Sequence, residues 1–136
     1  MNNYSENLPI KSSKRLQIID ITDKINRFIN NSDVTNGIAI IFSKHSTSSI
    51  IINENEKGLL NDFEKILTKI VPDKNSYEHD IIDNNADSHL RSMILGSSET
   101  IPIKNNKLDL GTWQSVFFIE FDGPRNRNIE LIAIGT

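Results

Sequence analysis

The sequence predicts an α+β domain: a mostly antiparallel β-sheet or sandwich carrying two or three helices. Three observations predict it. Residues 37–44, 47–53, 112–121 and 128–134 are runs rich in Ile, Phe and Val, with the length and composition of strands. Leu59, Leu60, Phe63, Ile66, Leu67 and Ile70 form one stripe at helical period, stopped by Pro72. Short connections and the order β-α-β-β-α-α-β-β-β-β favour antiparallel pairing.

Taken in order, residues 1–9 are polar, end in Leu8-Pro9 and read as a loose N-terminal arm. Residues 11–21 carry Leu16, Ile18, Ile19 and Ile21 and read as a strand. Thr22 or Asp23 then offers an oxygen to an orphan backbone N–H, as a helix N-cap does. Ile25, Phe28 and Ile29 follow at i, i+3, i+4, giving a short helix to about residue 30, and residues 31–33 have turn chemistry. The run at 37–44 suits a strand buried on both faces. The next strand, 47–53, leads into the striped helix.

Residues 73–84 are loop-like. A further helix begins near Asn85 with Ala86, His89, Leu90, Met93 and Ile94 on one face and Gly96 as its stop. Residues 99–108 read as a small hairpin. Residues 112–121 and 128–134 are strands joined by a tight turn. In the first of these, Trp113, Ser115, Phe117, Ile119 and Phe121 share the face expected to meet the core. Gln114, Val116, Phe118 and Glu120 share the other, where Glu120 is costly unless paired or ligating.

The 136 residues fit one domain, 1–136. Hydrophobic residues are 37% and charged residues 24%, which is a globular balance. The absence of cysteine excludes disulfides, thiol catalysis and sulfur-ligated zinc. A net charge of −3 and a pI near 5.6 give no general attraction for nucleic acid or anionic membrane. Residues 1–7 lack the pattern of a signal peptide, and no apolar run approaches a bilayer span. The expectation is a cytoplasmic protein.

Only three histidines are present, His45, His79 and His89, in no local zinc signature. Three imidazoles can hold a catalytic metal. Each also has an ordinary alternative: His89 as a core histidine, His79 as a loop residue, His45 as a strand-end residue bonded to Ser46 or Thr47. The helix start at Asn84-Asn85 can bind an anion or simply be capped. Arg125 and Arg127 can grip an anion with forked donors or form a solvated basic turn. No Walker A loop, GxGxxG motif or GxSxG elbow is present, so ATPase, Rossmann oxidoreductase and α/β-hydrolase readings lack support.

Several ordered segments resemble the YjbQ family. They are His45-Ser46-Thr47-Ser48-Ser49 with Asn53-Glu54-Asn55, and Tyr77-Glu78-His79-Asp80. They continue with Asn85-Ala86-Asp87-Ser88-His89-Leu90 before Leu95-Gly96, then Ile101-Pro102 and Leu108-Asp109-Leu110-Gly111-Thr112-Trp113-Gln114. The last is Glu120-Phe121-Asp122-Gly123-Pro124-Arg125. The order holds across residues 45–135, with departures at Ser46, Ser49 and Lys57-Gly58.

The resemblance implies an α+β fold, a homotrimer and a shared site of His45, His79 and His89 holding a divalent metal, zinc by ligand type. The apolar residues on both faces of 112–121 point the same way on assembly. The resemblance also implies a weak thiamine-phosphate synthase, which joins a pyrimidine methyl pyrophosphate to a thiazole phosphate. On this reading Arg125, Ser46 and the N–H groups near Asn85 bind phosphate. Glu120, Gln114 and Asn85 are the catalytic candidates, Gln114 or Glu120 orienting the ring system. Pyrophosphate chemistry more often uses magnesium on carboxylates. A metal-dependent hydrolase of a small phosphorylated or acyl compound is therefore the alternative enzyme. A non-catalytic, oligomeric small-ligand-binding protein is the alternative outside catalysis.

Overall fold

The computed structural model describes all 136 residues as eight strands and three helices. They are β1 (Asn2–Lys11), β2 (Gln17–Asp20), α1 (Thr22–Asn31), β3 (Gly37–Ser43), β4 (Ser48–Asn53) and α2 (Lys57–Ile70). After a 3-10 turn at Glu78–Ile81 come α3 (Ala86–Leu95), β5 (Ser98–Lys104), β6 (Lys107–Leu108), β7 (Ser115–Glu120) and β8 (Asn126–Gly135). Every strand pairing is antiparallel. One sheet has the order β1-β8-β3-β5-β6, the other β2-β7-β4. No helix is long and apolar enough to cross a membrane.

The main core gathers residues of both sheets and of α1: Ile41 and Leu131 from the larger sheet, Ile50, Val116 and Phe118 from the smaller, and Ile25, Phe28 and Ile29 from the helix. The opposite face of the smaller sheet, Phe117 and Ile119 with the following Phe121, packs on Leu67 of α2, with Leu60 and Phe63 beside it. Each such side chain taken fully from water contributes about 1.5–3 kcal/mol. β7 is thus covered on both faces by its own chain, so its two apolar faces say nothing about assembly. Trp113 lies outside the strand and is 72% exposed, contrary to the expectation of a core face reaching that far.

Two further expectations change. Residues 1–9 are no loose arm: β1 pairs with β8 over ten positions, from Asn2 opposite Gly135 to Lys11 opposite Asn126. Its polar outer residues are those of an edge strand, and Leu8 and Ile10 pack on the core. The strand expected over 11–21 shortens to β2, because Ser12 is drawn inward. It is 1% exposed, and its backbone N–H donates to the Arg125 carbonyl (2.9 Å).

The starts of α1 and α3 use different caps from those expected, and α2, for which the sequence named none, has its own. Before α1, Asp20 Oδ1 accepts from the Thr22 N–H (2.9 Å) and hydroxyl (2.6 Å), in place of capping by Thr22 or Asp23. At α2, Glu56 accepts from the Gly58 (2.5 Å) and Leu59 (3.0 Å) amides. At α3 the Asn85 side chain makes no cap bond, and the Ala86 N–H donates instead to Asp80 Oδ1 (3.1 Å).

Candidate functional site

The end of β3, the start of α3 and the β7–β8 turn meet around a groove of about 320 Å³. His45 and Ser46 follow β3, Asn85 and His89 come from α3, and Asp122, Arg125 and Arg127 come from the turn and the start of β8. Lys44 and Thr47 complete the lining, which contains no hydrophobic residue. Each cation has a carboxylate partner, Lys44 with Glu130 (3.3 Å), Arg127 with Glu120 and Arg125 with Asp122 (3.0 Å). Of these carboxylates only Asp122 lines the groove, so its wall presents more cationic than anionic groups to a ligand.

The turn is held from behind by Glu120. Its Oε1 accepts from the Ser12 hydroxyl (2.8 Å) and from Arg127 Nε (2.9 Å). Its Oε2 accepts from the Asp122 N–H (3.1 Å) and from Arg127 Nη2, which also donates to Thr47 Oγ1 (2.8 Å). Glu120 is fully buried. Burial alone would raise its carboxyl, but the Arg127 and Ser12 hydrogen bonds outweigh it and hold the group below the usual carboxylate range. An acid so engaged has no free oxygen for a substrate. The catalytic role expected of Glu120 is corrected to holding Arg127 and the turn. Gly123 is required here: a Cβ would lie 2.2 Å from the Lys14 carbonyl oxygen and 2.8 Å from Glu120 Cγ.

Arg125 is differently placed. Nε donates to the Asp122 carbonyl (2.8 Å) and Nη2 to its carboxylate (3.0 Å), with the side chain half exposed. In both Arg125 and Arg127, Nη1 makes no hydrogen bond within the chain. Each arginine keeps a donor for a bound anion.

Asn85 links this turn to the histidines. Its Nδ2 donates to Asp122 Oδ2 (2.9 Å), and its Oδ1 lies 3.1 Å from His79 Nε2. A carboxylate only accepts, so the amide nitrogen faces Asp122 and the His79 Nε2 carries a proton. Asn85 therefore orients His79 rather than capping α3, and the Ala86 amide expected to grip phosphate is already taken by Asp80.

His79 and His89 meet edge to face, with centroids 4.9 Å apart at 80°. His45 shares the groove with His89. The His45 Nε2 accepts from the Asn128 N–H (3.1 Å), not from Ser46 or Thr47. Burial and then the nearby Arg127 push its pKa down, favouring the neutral ring. The expected ligand set of His45, His79 and His89 is not assembled: no group of three or more His, Asp or Glu side chains is arranged to hold a metal ion. The reason is local, since the Nε2 atoms of His45 and His79 face Asn128 and Asn85. The donor types suit zinc, but their arrangement does not fit it.

Ser46, expected as a phosphate ligand, lies in the lining of the groove. Gln114 does not reach it; its Oε1 accepts from the Gly111 N–H (2.8 Å) and closes its own turn. Sequence reasoning missed a second buried network. Asp87 is bridged by Arg15 (2.8 and 2.9 Å) and by Arg91 (3.2 Å). Arg91 also donates to the Val71 carbonyl (2.7 Å) and to Asp73 (2.8 Å). The available signal was an Asp and an Arg at i, i+4 on a helix whose expected apolar face excludes both.

Comparison with known proteins bears on this arrangement. The family profile described as "UPF0047 protein YjbQ-like" matches residues 6–136. A UPF0047 protein of Methanothermobacter thermautotrophicus is 52% identical over 132 residues, covering 97% of this chain and 92% of the relative. The crystal structure of a YbjQ-like protein of unknown function from Sulfolobus solfataricus superposes with a TM-score of 0.96 at 34% identity, covering 99% of each chain. That of an uncharacterised conserved YjbQ/UPF0047 protein from Clostridium acetobutylicum gives 0.91 at 38% identity, over 95% of this chain and 99% of the other.

Proposed function

The chain belongs to the UPF0047 (YjbQ-like) family, and from that premise we propose that it binds a small phosphorylated compound in the groove between His45 and Arg125. The observation that carries this reading is the wholly polar lining, with three cations, one carboxylate and an unengaged Nη1 on each arginine. Arg125 binds phosphate oxygens with Ser46 and Lys44 beside it, and Arg127 holds a second oxygen from a fixed position. Forked guanidinium donors suit that role better than a point charge.

The finer reading is a transferase of the thiamine-phosphate synthase kind, supported by the family resemblance of the motifs at 45–49, 77–80, 85–90 and 120–125. In it the pyrimidine methyl carbon leaves its pyrophosphate and bonds to the thiazole nitrogen. The residues act by neutralising the departing pyrophosphate and fixing the two rings, which are electrostatic and orientational tasks. The protein works in the cytoplasm as a homotrimer.

Two experiments test the reading. Calorimetric titration with pyrophosphate is expected to show saturable binding that Arg125→Ala weakens at least about tenfold, the worth of one charged hydrogen bond. Absence of binding removes the groove as a phosphate site. Expression in a thiamine auxotroph lacking its synthase is expected to restore slow growth, and failure at high expression removes the transferase reading.

A metal-dependent hydrolase is the second reading; the adjacent His79 and His89 rings favour it, and it requires the imidazoles to turn from the positions described. Stoichiometric zinc in untagged protein, lost in His89→Ala, would establish the metal site, and its absence removes this reading.

A further inference from the structure

The helix α3 is inverted. Its buried residues are Ala86, Asp87, Ser88, Arg91 and Ser92, and two of its large apolar residues face out, Met93 at 77% and Ile94 at 61% exposure, while Leu95 at its end packs against the Phe117–Phe121 cluster. The polar inner face is fully matched. Asp87 and Arg91 pair with each other, the Ser88 hydroxyl donates to the Phe121 carbonyl (2.6 Å), and the Ser92 hydroxyl donates to the Ser48 carbonyl (2.6 Å). The helix is anchored mainly through that polar face, and the stripe carrying Leu90 and Met93 is left partly uncovered.

Part of it forms a recess of about 480 Å³ lined by Tyr77, Ala86, Leu90 and Met93 together with His79, His89 and one charged residue, Glu78. Residues 86, 89, 90 and 93 are one stripe at i, i+3, i+4 and i+7. The Tyr77 ring is held in place because its hydroxyl donates to the Pro72 carbonyl (2.7 Å). His89 lines this recess and also the polar groove, so the two adjoin at one imidazole.

We infer that the groove and the recess form one bipartite site, taking a phosphate monoester whose flat apolar body lies against Tyr77, Leu90 and Met93. This rests on the groove reading and extends it. The polar half carries the charge, and the apolar half discriminates between phosphorylated compounds. The edge-to-face His79–His89 pair at the junction presents imidazole surface to a ring seated between the two halves. Area removed from water on Leu90 and Met93 is then the source of preference for an aryl over a bare phosphate.

The test compares inorganic phosphate with phenyl phosphate by calorimetry on the full chain, wild type and Met93→Gln. Met93 is exposed, and glutamine matches its length without adding charge, so the fold is preserved. The expected result is phenyl phosphate binding about tenfold tighter than phosphate, a gap of about 1.4 kcal/mol. Met93→Gln should close most of that gap and leave inorganic phosphate within about twofold. Equal affinities in the wild type, or a gap that Met93→Gln leaves intact, overturn the apolar half while the phosphate groove stands. No binding of either compound overturns both. A fall in sedimenting mass on Met93→Gln assigns the stripe to a second copy of the chain and overturns the ligand role.

Discussion

Arg125 and Arg127 leave the same turn two residues apart and meet opposite surroundings. Arg127 is 6% exposed and shares two hydrogen bonds with a carboxylate that is itself fully buried and fully engaged. Arg125 is half in solvent, and its partner Asp122 also serves Asn85. The first pair was removed from water when the chain folded, and its members depend on each other. The second stays hydrated, and its guanidinium can exchange Asp122 for a ligand at little cost. One pair builds the groove floor and the other meets what enters it.

The sharpest way to break this contrast is Arg127→Ala. It leaves Glu120 buried and charged, and is expected to cost about 3–5 kcal/mol in urea unfolding. A loss below 1 kcal/mol would mean that water reaches Glu120. Acidification follows in size. Glu120 and Asp87 both sit below the usual carboxylate range, each against the opposing effect of burial. For groups with depressed folded-state pKa values, the unfolded chain takes up more protons. Their stabilisation is therefore complete above the ordinary carboxylate range, about pH 4, and is lost as pH falls through the folded-state values. The urea midpoint should fall steeply between about pH 4 and pH 2, and less steeply in Asp87→Asn.

Smaller again is Ser49→Ala. The Ser49 hydroxyl is buried in β4 without a hydrogen-bond partner, so its removal is expected to stabilise by about 1 kcal/mol. The smallest effect on stability belongs to Arg125→Ala, between about 0 and 1 kcal/mol. The same variant carries the large loss of pyrophosphate affinity, and that division between stability and binding is what distinguishes the two arginines.

The fold was legible where burial is one-sided or complete. The stripe from Leu59 to Ile70 and the isoleucines of β3 and β4 write their environments directly into residue order. β1 was not legible, because residues 2–7 contribute mainly backbone to the sheet and the pairing information lies in β8. Nor was the inversion of α3: Asp87 and Arg91 mark a polar interior only once Arg15 and Asp73 are known to reach them. At the site, the ordered motifs drew together His45, His79, Asn85, His89 and Arg125. They could not reveal that Glu120 serves Arg127, since alternation along β7 places the carboxylate on a covered face without naming its partner. Gln114 was misjudged for a related reason, because its bond to Gly111 is a local turn that strand alternation does not encode.

The Arg91 guanidinium has a mechanical consequence for the segment that carries His79. It binds Val71 and Asp73, where α2 ends, while its own backbone belongs to α3. One side chain therefore clamps both ends of the connection from residue 72 to 85 and shortens the free span the chain must close. Tyr77 adds a second tether inside that span through its bond to Pro72. Deuterium should enter slowly at amides beside the clamp and quickly around Ile81 and Ile82, whose side chains stand in water. A helix-to-helix linker of this length is thus held at its base and again within its span, and the imidazole it carries is confined to a small arc.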